Sequence, residues 1–240
     1  MIVEGINCVQ ELVKANYPVE KVIINKESGE KFSEITELCT KSNIKYEIVD
    51  KRGLEKITKS GHSQGVVAFV KSYEYCYVED ILQFAKDKGS DPFIIILDGI
   101  VDPHNVGAII RTAECMGVDG IIIPQNRACE INETVFKTST GAVAHIKIAQ
   151  VVNISQTIEK LKKENIWCYA LEAGEDRISD IDLTGGIALV VGSEGKGVSR
   201  LVRKTCDGTI SIPMYGKINS LNASNASAIA MYEVVRQRLK

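Results

Sequence analysis

The chain has no apolar run approaching the roughly 20 residues that cross a bilayer; its longest runs resemble FIIIL at 93–97. A membrane protein is therefore not expected. It has no CxxC pair either. Cys8, Cys39, Cys76, Cys115, Cys129, Cys168 and Cys206 lie at least 14 positions apart, and the 3 histidines form no partner segment. An odd, scattered set reads as reduced thiols in a reducing compartment, and it argues against both a disulfide scaffold and a zinc site. An excess of basic charge is also lacking, since 29 Lys and Arg meet 31 Asp and Glu for a net charge of -2. With no global positive field, any nucleic acid must be held by local patches. MIVEGINCVQELV lacks the basic start of a signal peptide and carries Glu4 and Glu11, so a cytoplasmic location is expected.

What is there is an ordinary globular composition, 45% hydrophobic and 25% charged over 240 residues, enough for a larger domain with a smaller companion. Residues 1–72 read as a small α/β unit. INCVQELVKA places Ile6, Val9, Leu12 and Val13 at helical spacing, FSEITELCTKSN reads as a second helix, and KVIIN, KYEIV and GVVAFV are short β-branched runs. The 11 basic and 11 acidic residues of positions 1–75 cancel. Residues 73–91 read as a connector containing a helix, with Tyr73, Tyr75 and Tyr77 taken as packing residues. From 92 to 240, uninterrupted apolar runs alternate with amphipathic segments: FIIILD, GIIIP, AHIKIA, WCYALE, GIALVVG and TISIPM. That alternation predicts a parallel sheet covered on both faces, with ligands beyond the carboxyl ends of its strands.

Three segments could carry chemistry. In LDGIVDPHNVGAIIRTAECMG a strand runs into a polar loop and then a helix bearing Asn105 and Arg111. Asp102-Pro103 alone reads equally well as a helix start with Arg111 in solvent. GSEGKG at 192–197 follows a buried strand with glycines that let backbone approach a ligand, and it holds one acid, Glu194. It matches neither the dinucleotide fingerprint nor the P-loop, and a simple tight turn is the other reading. Lys196, Arg200, Arg203 and Lys204 after it suit phosphate contacts or a solvated helix face. IPMYGKINSLNASNASAIA concentrates Ser220, Asn222, Ser224, Asn225 and Ser227 at the entry to a helix, more than one cap uses. His104 and His145 read as structural.

Asn105-Val-Gly-Ala-Ile-Ile-Arg111, Gly192-Ser-Glu-Gly-Lys-Gly197 and Ile212-Pro-Met-Tyr-Gly-Lys-Ile-Asn-Ser-Leu-Asn222, in this order, resemble the three motifs of the SpoU branch of the SPOUT RNA 2′-O-methyltransferases. VEGINCVQEL through HSQGVVAFV resembles the substrate-binding domain of the TrmH and RlmB type. The resemblance implies a small α/β RNA-binding domain followed by a parallel-sheet α/β domain with a carboxyl-terminal trefoil knot, an exception to the rule that chains avoid knots. It further implies a homodimer, S-adenosylmethionine as cofactor, no metal, and RNA as substrate, with 23S rRNA favoured over tRNA. Carried over by motif, Gly192, Ile212 and Leu221 contact the cofactor, while Asn105, Arg111, Glu194, Ser220 and Asn222 form the catalytic site.

The implied reaction is in-line attack of a ribose 2′-hydroxyl on a sulfonium methyl, so the protein must position the oxygen and help remove its proton. The resemblance makes Arg111 the base. A guanidinium stays protonated in proteins, and the alternative is that Arg111 orients the hydroxyl or stabilises alkoxide charge, with a phosphate or Glu194 assisting. In the first domain, His62, Ser63 and Gln64 form a polar loop between glycines, read as an RNA contact or a structural turn; Lys196 and Arg200 are the RNA-contact candidates of the second.

Overall fold

The computed structural model describes residues 1–27, 30–58, 63–174 and 176–239. They form two compact units, one of residues 1–74 with 131–145, the other of residues 75–130 with 146–240.

The first unit is built on a mixed four-stranded sheet in the order β1-β4-β2-β3, comprising β1 (Ile2–Glu4), β2 (Val19–Asn25), β3 (Tyr46–Val49) and β4 (Val66–Val70). The helices α1 (Ile6–Lys14), α2 (Glu30–Lys41) and α3 (Lys51–Glu55) accompany it. The α1 stripe expected from spacing is buried, with Val9 and Leu12 fully so. Neither β1 nor α3 is foreshadowed by sequence pattern. β1 is only three residues long, and it exists because Ile2 pairs antiparallel with Phe69 on β4.

Residues 131–145 fall within the stretch 92–240 but pack in this first unit. Their helix α6 (Glu133–Thr138) lies against β1 and α1. The Phe136 ring meets the Tyr17 ring edge-on at 5.4 Å, its carbonyl accepts from Cys8 Sγ at 3.1 Å, and Lys137 pairs with Glu4 at 3.2 Å.

The second unit carries six strands in the order β10-β8-β9-β5-β6-β7, all parallel. These are β5 (Phe93–Asp98), β6 (Gly120–Pro124), β7 (Lys147–Val151), β8 (Trp167–Leu171), β9 (Ile187–Gly192) and β10 (Gly208–Ile210). Phe93 to Leu97 and Ile187 to Gly192 are buried on both faces, the burial that continuous β-branched runs prescribe for central parallel strands. The covering helices are α4 (Val78–Lys88), α5 (Pro103–Cys115), α7 (Ile154–Lys163), α8 (Arg200–Thr205) and α9 (Ala223–Arg238). Ile154, Ile158 and Leu161 of α7 join the main core with Ile94, Ile96 and Val190.

Two expectations need correction. TISIPM is a strand only as far as Ile210, because the Ser211 N–H turns to Asp176 O at 2.8 Å and Pro213 has no N–H to offer a ladder. Tyr77 is 78% exposed rather than packed, since it stands just before α4 with its N–H bonded to Asp80. Among the described residues, no helix is long and apolar enough to cross a membrane.

Candidate active site

Strand order places the site. From β5 the chain moves outward through β6 and β7, then returns on the other side of β5 through β8, β9 and β10. Connections leaving β5 and β9 therefore diverge, and a crevice opens where the two strands lie side by side, with Asp98 opposite Gly192.

The loop after β5 enters α5 through Asp102, whose Oδ1 accepts from the His104 N–H at 3.1 Å, with Pro103 in the first helical position. One residue further, Asn105 is turned inward and is only 8% exposed. After β9 the chain makes the turn 192–198, closed by the Gly197 N–H donating to Ser193 O at 2.8 Å. Two carboxylates outside the turn tether it. Asp98 Oδ2 accepts from the Ser199 N–H at 2.7 Å, and Glu172 Oε1 accepts from the Val198 N–H. Gly192 and Gly197 are required here. A side chain on Gly192 would strike the backbone of Gly197 and Val198, and one on Gly197, whose φ is +65°, would strike the Glu172 carboxylate.

The turn presents Glu194 to the other two elements. Asn222 Nδ2 donates to Glu194 Oε1 at 2.6 Å and to Asn105 Oδ1 at 2.9 Å, while Asn105 Nδ2 donates to the same Glu194 oxygen at 2.9 Å. Three motifs separated by up to 117 positions thus meet in one closed amide–carboxylate cluster. Asn222 has a second task, since its Oδ1 caps α9 by accepting from the Ser224 N–H and the Asn225 N–H. Ser224 Oγ adds to this cap, and buried Ser227 donates to Ala223 O at 2.6 Å. Much of the polar density at this helix entry is therefore structural, contrary to the sequence expectation that it exceeds what one cap uses.

Beside the cluster is a cavity of about 770 Å³, within the usual range for small-molecule sites. Its walls include Gly192, Glu194, Ile212, Ser220, Leu221 and Asn222, so the three residues expected to contact a cofactor lie together with three of the five expected catalytic ones. Asn105 reaches it through its bonds to Glu194 and Asn222. Arg111 does not line it. Six residues after Asn105, about 9 Å along the helix axis, it is exposed and makes no hydrogen bond or ion pair among the described residues. Within the chain, Asn105 and Arg111 of α5 therefore do not line the cavity together.

Lys196 and Arg200 are likewise exposed and without partners among the described residues. In the first unit the Gln64 side-chain oxygen is already engaged, accepting from the Ile6 N–H at 3.3 Å at the start of α1; His62 lies outside the described residues. Sequence reasoning missed Asp98 and Glu172, two isolated acids whose roles exist only through strand register. Among the described residues no group of three or more His, Cys, Asp or Glu could hold a metal ion.

These features define the class first: an α/β protein with a small-molecule cavity at the carboxyl ends of its parallel strands, edged by a fixed amide–carboxylate cluster. Comparison with known proteins makes it specific. Residues 92–232 match the SpoU rRNA Methylase family, and residues 2–76 match the family described as RNA 2′-O ribose methyltransferase substrate binding. YacO of Bacillus subtilis, which bears the name of a TrmH family tRNA/rRNA methyltransferase, is 41% identical over 237 residues, covering 98% of this chain and 94% of its own. The crystal structure of the SpoU methyltransferase AviRb from Streptomyces viridochromogenes, in complex with AdoMet, superimposes with a TM-score of 0.83 at 25% identity, covering 100% of this chain and 90% of that one. The TrmH/SpoU tRNA modifying enzyme of A. aeolicus is 30% identical, with a TM-score of 0.56 over 67% of this chain and 84% of its own. The chain belongs to the SpoU methylase family of RNA 2′-O-methyltransferases.

Proposed function

We propose that the protein transfers the methyl group of S-adenosylmethionine to the ribose 2′-hydroxyl of a guanosine in 23S rRNA. The observation that carries this reading is the Asn105–Glu194–Asn222 cluster on the wall of the cavity. The cavity suits the cofactor: Leu171, Val191, Ile212 and Leu221 offer an apolar wall, Gly192 and Gly197 leave backbone bare, and the charged lining residues are carboxylates, which match a sulfonium cation.

When bound, S-adenosylmethionine supplies an electrophilic methyl already activated by positive charge. The protein's work is positioning and proton management. Glu194 is held at Oε1 by two amide donors, which fixes its carboxylate and leaves Oε2 without an intramolecular partner among the described residues. That oxygen is available to a hydroxyl donor. Ser220, exposed on the cavity wall, adds an adaptable hydroxyl. Arg111 orients the attacking hydroxyl or stabilises its developing charge, acting from outside the cavity lining described for a single chain. This fits the homodimer that the family resemblance implies, in which a second chain brings its own α5 to the assembly. Lys196 and Arg200 contact RNA phosphates.

Ribosomal RNA is favoured because the amino-terminal unit, matched over residues 2–76 to a substrate-binding family, is kept whole. Transfer RNA is the second reading, supported by the similarity to the A. aeolicus enzyme. The test is transfer of labelled methyl from S-adenosylmethionine to unmodified 23S rRNA and to bulk tRNA, with the modified nucleoside identified by mass spectrometry. The expected product is 2′-O-methylguanosine in 23S rRNA. Label in tRNA moves the target and keeps the chemistry, whereas RNA binding without transfer identifies an assembly factor.

A further inference from the structure

Among the described residues, those lining the cavity include two carboxylates, Glu172 and Glu194, and no lysine, arginine or histidine. Glu194 is committed to the amide cluster. Glu172 is placed differently. It follows Leu171, whose register partner on β9 is Val191, so it emerges from the sheet directly beside the turn 192–198. Its backbone N–H donates to Ile210 O at 3.0 Å, which fixes the main chain. Its Oε1 takes the Val198 N–H, and the carboxylate fills the space that a side chain on Gly197 would need. The carboxylate is thus pinned between turn and cavity by a neutral peptide donor, the Val198 N–H, with no cation paired to it among the described residues. Its charge is directed by geometry and left uncompensated by the protein.

We propose that Glu172 is a specificity-determining residue whose charge makes the cavity favour the sulfonium cofactor over the neutral thioether left after methyl transfer. The inference rests on the S-adenosylmethionine reading above. In the reaction the ribose oxygen forms a bond to the methyl carbon, the carbon–sulfur bond breaks with its electron pair staying on sulfur, and the hydroxyl proton passes to a base. The small molecule in the cavity loses one positive charge. A carboxylate held nearby then loses a favourable Coulomb interaction. Because that interaction is already present before reaction, it contributes selectivity and product release rather than acceleration of the chemical step.

The experiment is isothermal titration of the full-length protein and of Glu172→Gln with S-adenosylmethionine and with S-adenosylhomocysteine. Glutamine keeps an oxygen able to accept the Val198 N–H and removes the charge, so the turn is preserved. The expected result is that Glu172→Gln binds S-adenosylmethionine about tenfold more weakly, a change of one decade in the affinity ratio, while S-adenosylhomocysteine binding is unchanged. Glu172→Asp, which keeps the charge on a shorter arm, is expected to retain the parent's ratio. Equal weakening of both ligands by Glu172→Gln makes Glu172 only a tether of the turn and overturns the proposal, as does no change in either. A parent protein that binds neither ligand sinks the cofactor reading itself, and this distinguishes the two failures.

Discussion

Asn222 Nδ2 lies 2.6 Å from Glu194 Oε1, so the residue that starts the last helix also holds the acid of the site. Folding of α9 and assembly of the site are thereby one event. Asn222→Ala removes both functions. It is expected to cost about 1 kcal/mol of stability through the lost cap and to abolish methyl transfer. Asn222→Asp keeps the capping oxygen but sets a second carboxylate against Glu194, so stability is partly kept and turnover is lost. Urea unfolding beside single-turnover assays separates the effects; an active Asn222→Asp enzyme would contradict the cluster's role.

Glu194→Gln tests the carboxylate without disturbing its surroundings greatly, since an amide oxygen can still accept from Asn105 and Asn222. Turnover is expected to fall by about 10²-fold or more, the scale of a lost acid–base group. The melting temperature should barely move, because Glu194 is exposed and forms no ion pair among the described residues. A rise in KM alone, with turnover intact, would reassign it to substrate binding.

Arg111→Ala is expected to abolish methyl transfer while leaving S-adenosylmethionine affinity unchanged, since Arg111 does not line the cavity. Arg111→Lys should not rescue, because an ammonium lacks the planar fork of donors that a guanidinium offers to a hydroxyl and a phosphate together. Retained turnover in either variant sinks the assignment.

The parts of this molecule legible in the sequence are those governed by local pattern. β5 and β9 announce themselves as continuous apolar runs, α7 by its Ile154, Ile158 and Leu161 stripe, and the α5 start by Asp102-Pro103. Motif resemblance points to Asn105, Glu194 and Asn222, and the structure joins them. What pattern cannot carry is register. Glu172 looks like any surface acid until Leu171 is paired with Val191, and β1 is invisible until Phe69 lies opposite Ile2. The separation of Arg111 from the cluster follows from helix geometry once α5 is fixed, but a motif records order along the chain and not direction in space. The serines and asparagines at the entry to α9 exceed what one cap uses when read along the sequence, whereas Ser224 adds to the Asn222 cap and Ser227 is buried against its own helix.

Thiol chemistry offers an independent check on packing. Burial pushes the Cys8 thiol up to about 12, with Glu11 adding to the shift, and it pushes Cys206 up to about 12 and Cys39 to about 11. Burial raises Cys168, Cys76 and Cys129 as well. Only thiolate reacts with an alkylating reagent. At about pH 8, intact protein should therefore take label most rapidly at Cys115, the exposed cysteine, more slowly at the half-buried Cys76 and Cys206, and at the buried Cys8, Cys39, Cys129 and Cys168 only on unfolding. Peptide mapping by mass spectrometry reads the order, and early labelling of Cys8 or Cys168 would show that the packing around α1 or β8 is looser than described.

Arg238 closes the second unit from the far end of α9. Its Nη1 donates to Asp91 O at 3.0 Å, and its Nη2 donates to Pro92 O at 3.2 Å and to Gly185 O at 2.6 Å. The guanidinium also lies over the Phe93 ring at 5.3 Å. The entries to β5 and β9 are thereby fastened to the last helix, the same helix whose first turn carries Asn222. Charged donors to carbonyls stabilise more than neutral ones. Arg238→Ala is expected to lower unfolding free energy by about 2–4 kcal/mol, while Arg238→Lys, with a point charge in place of the fork, recovers only part. Urea unfolding followed by the single tryptophan, Trp167 on β8, measures both. Since the clamp sits far along α9 from the cluster, cofactor affinity of the folded Arg238→Ala protein should match the parent. A parent-like midpoint in Arg238→Ala would mean that the desolvation cost of this half-buried cation, whose pKa burial already pulls down, cancels everything its three hydrogen bonds contribute.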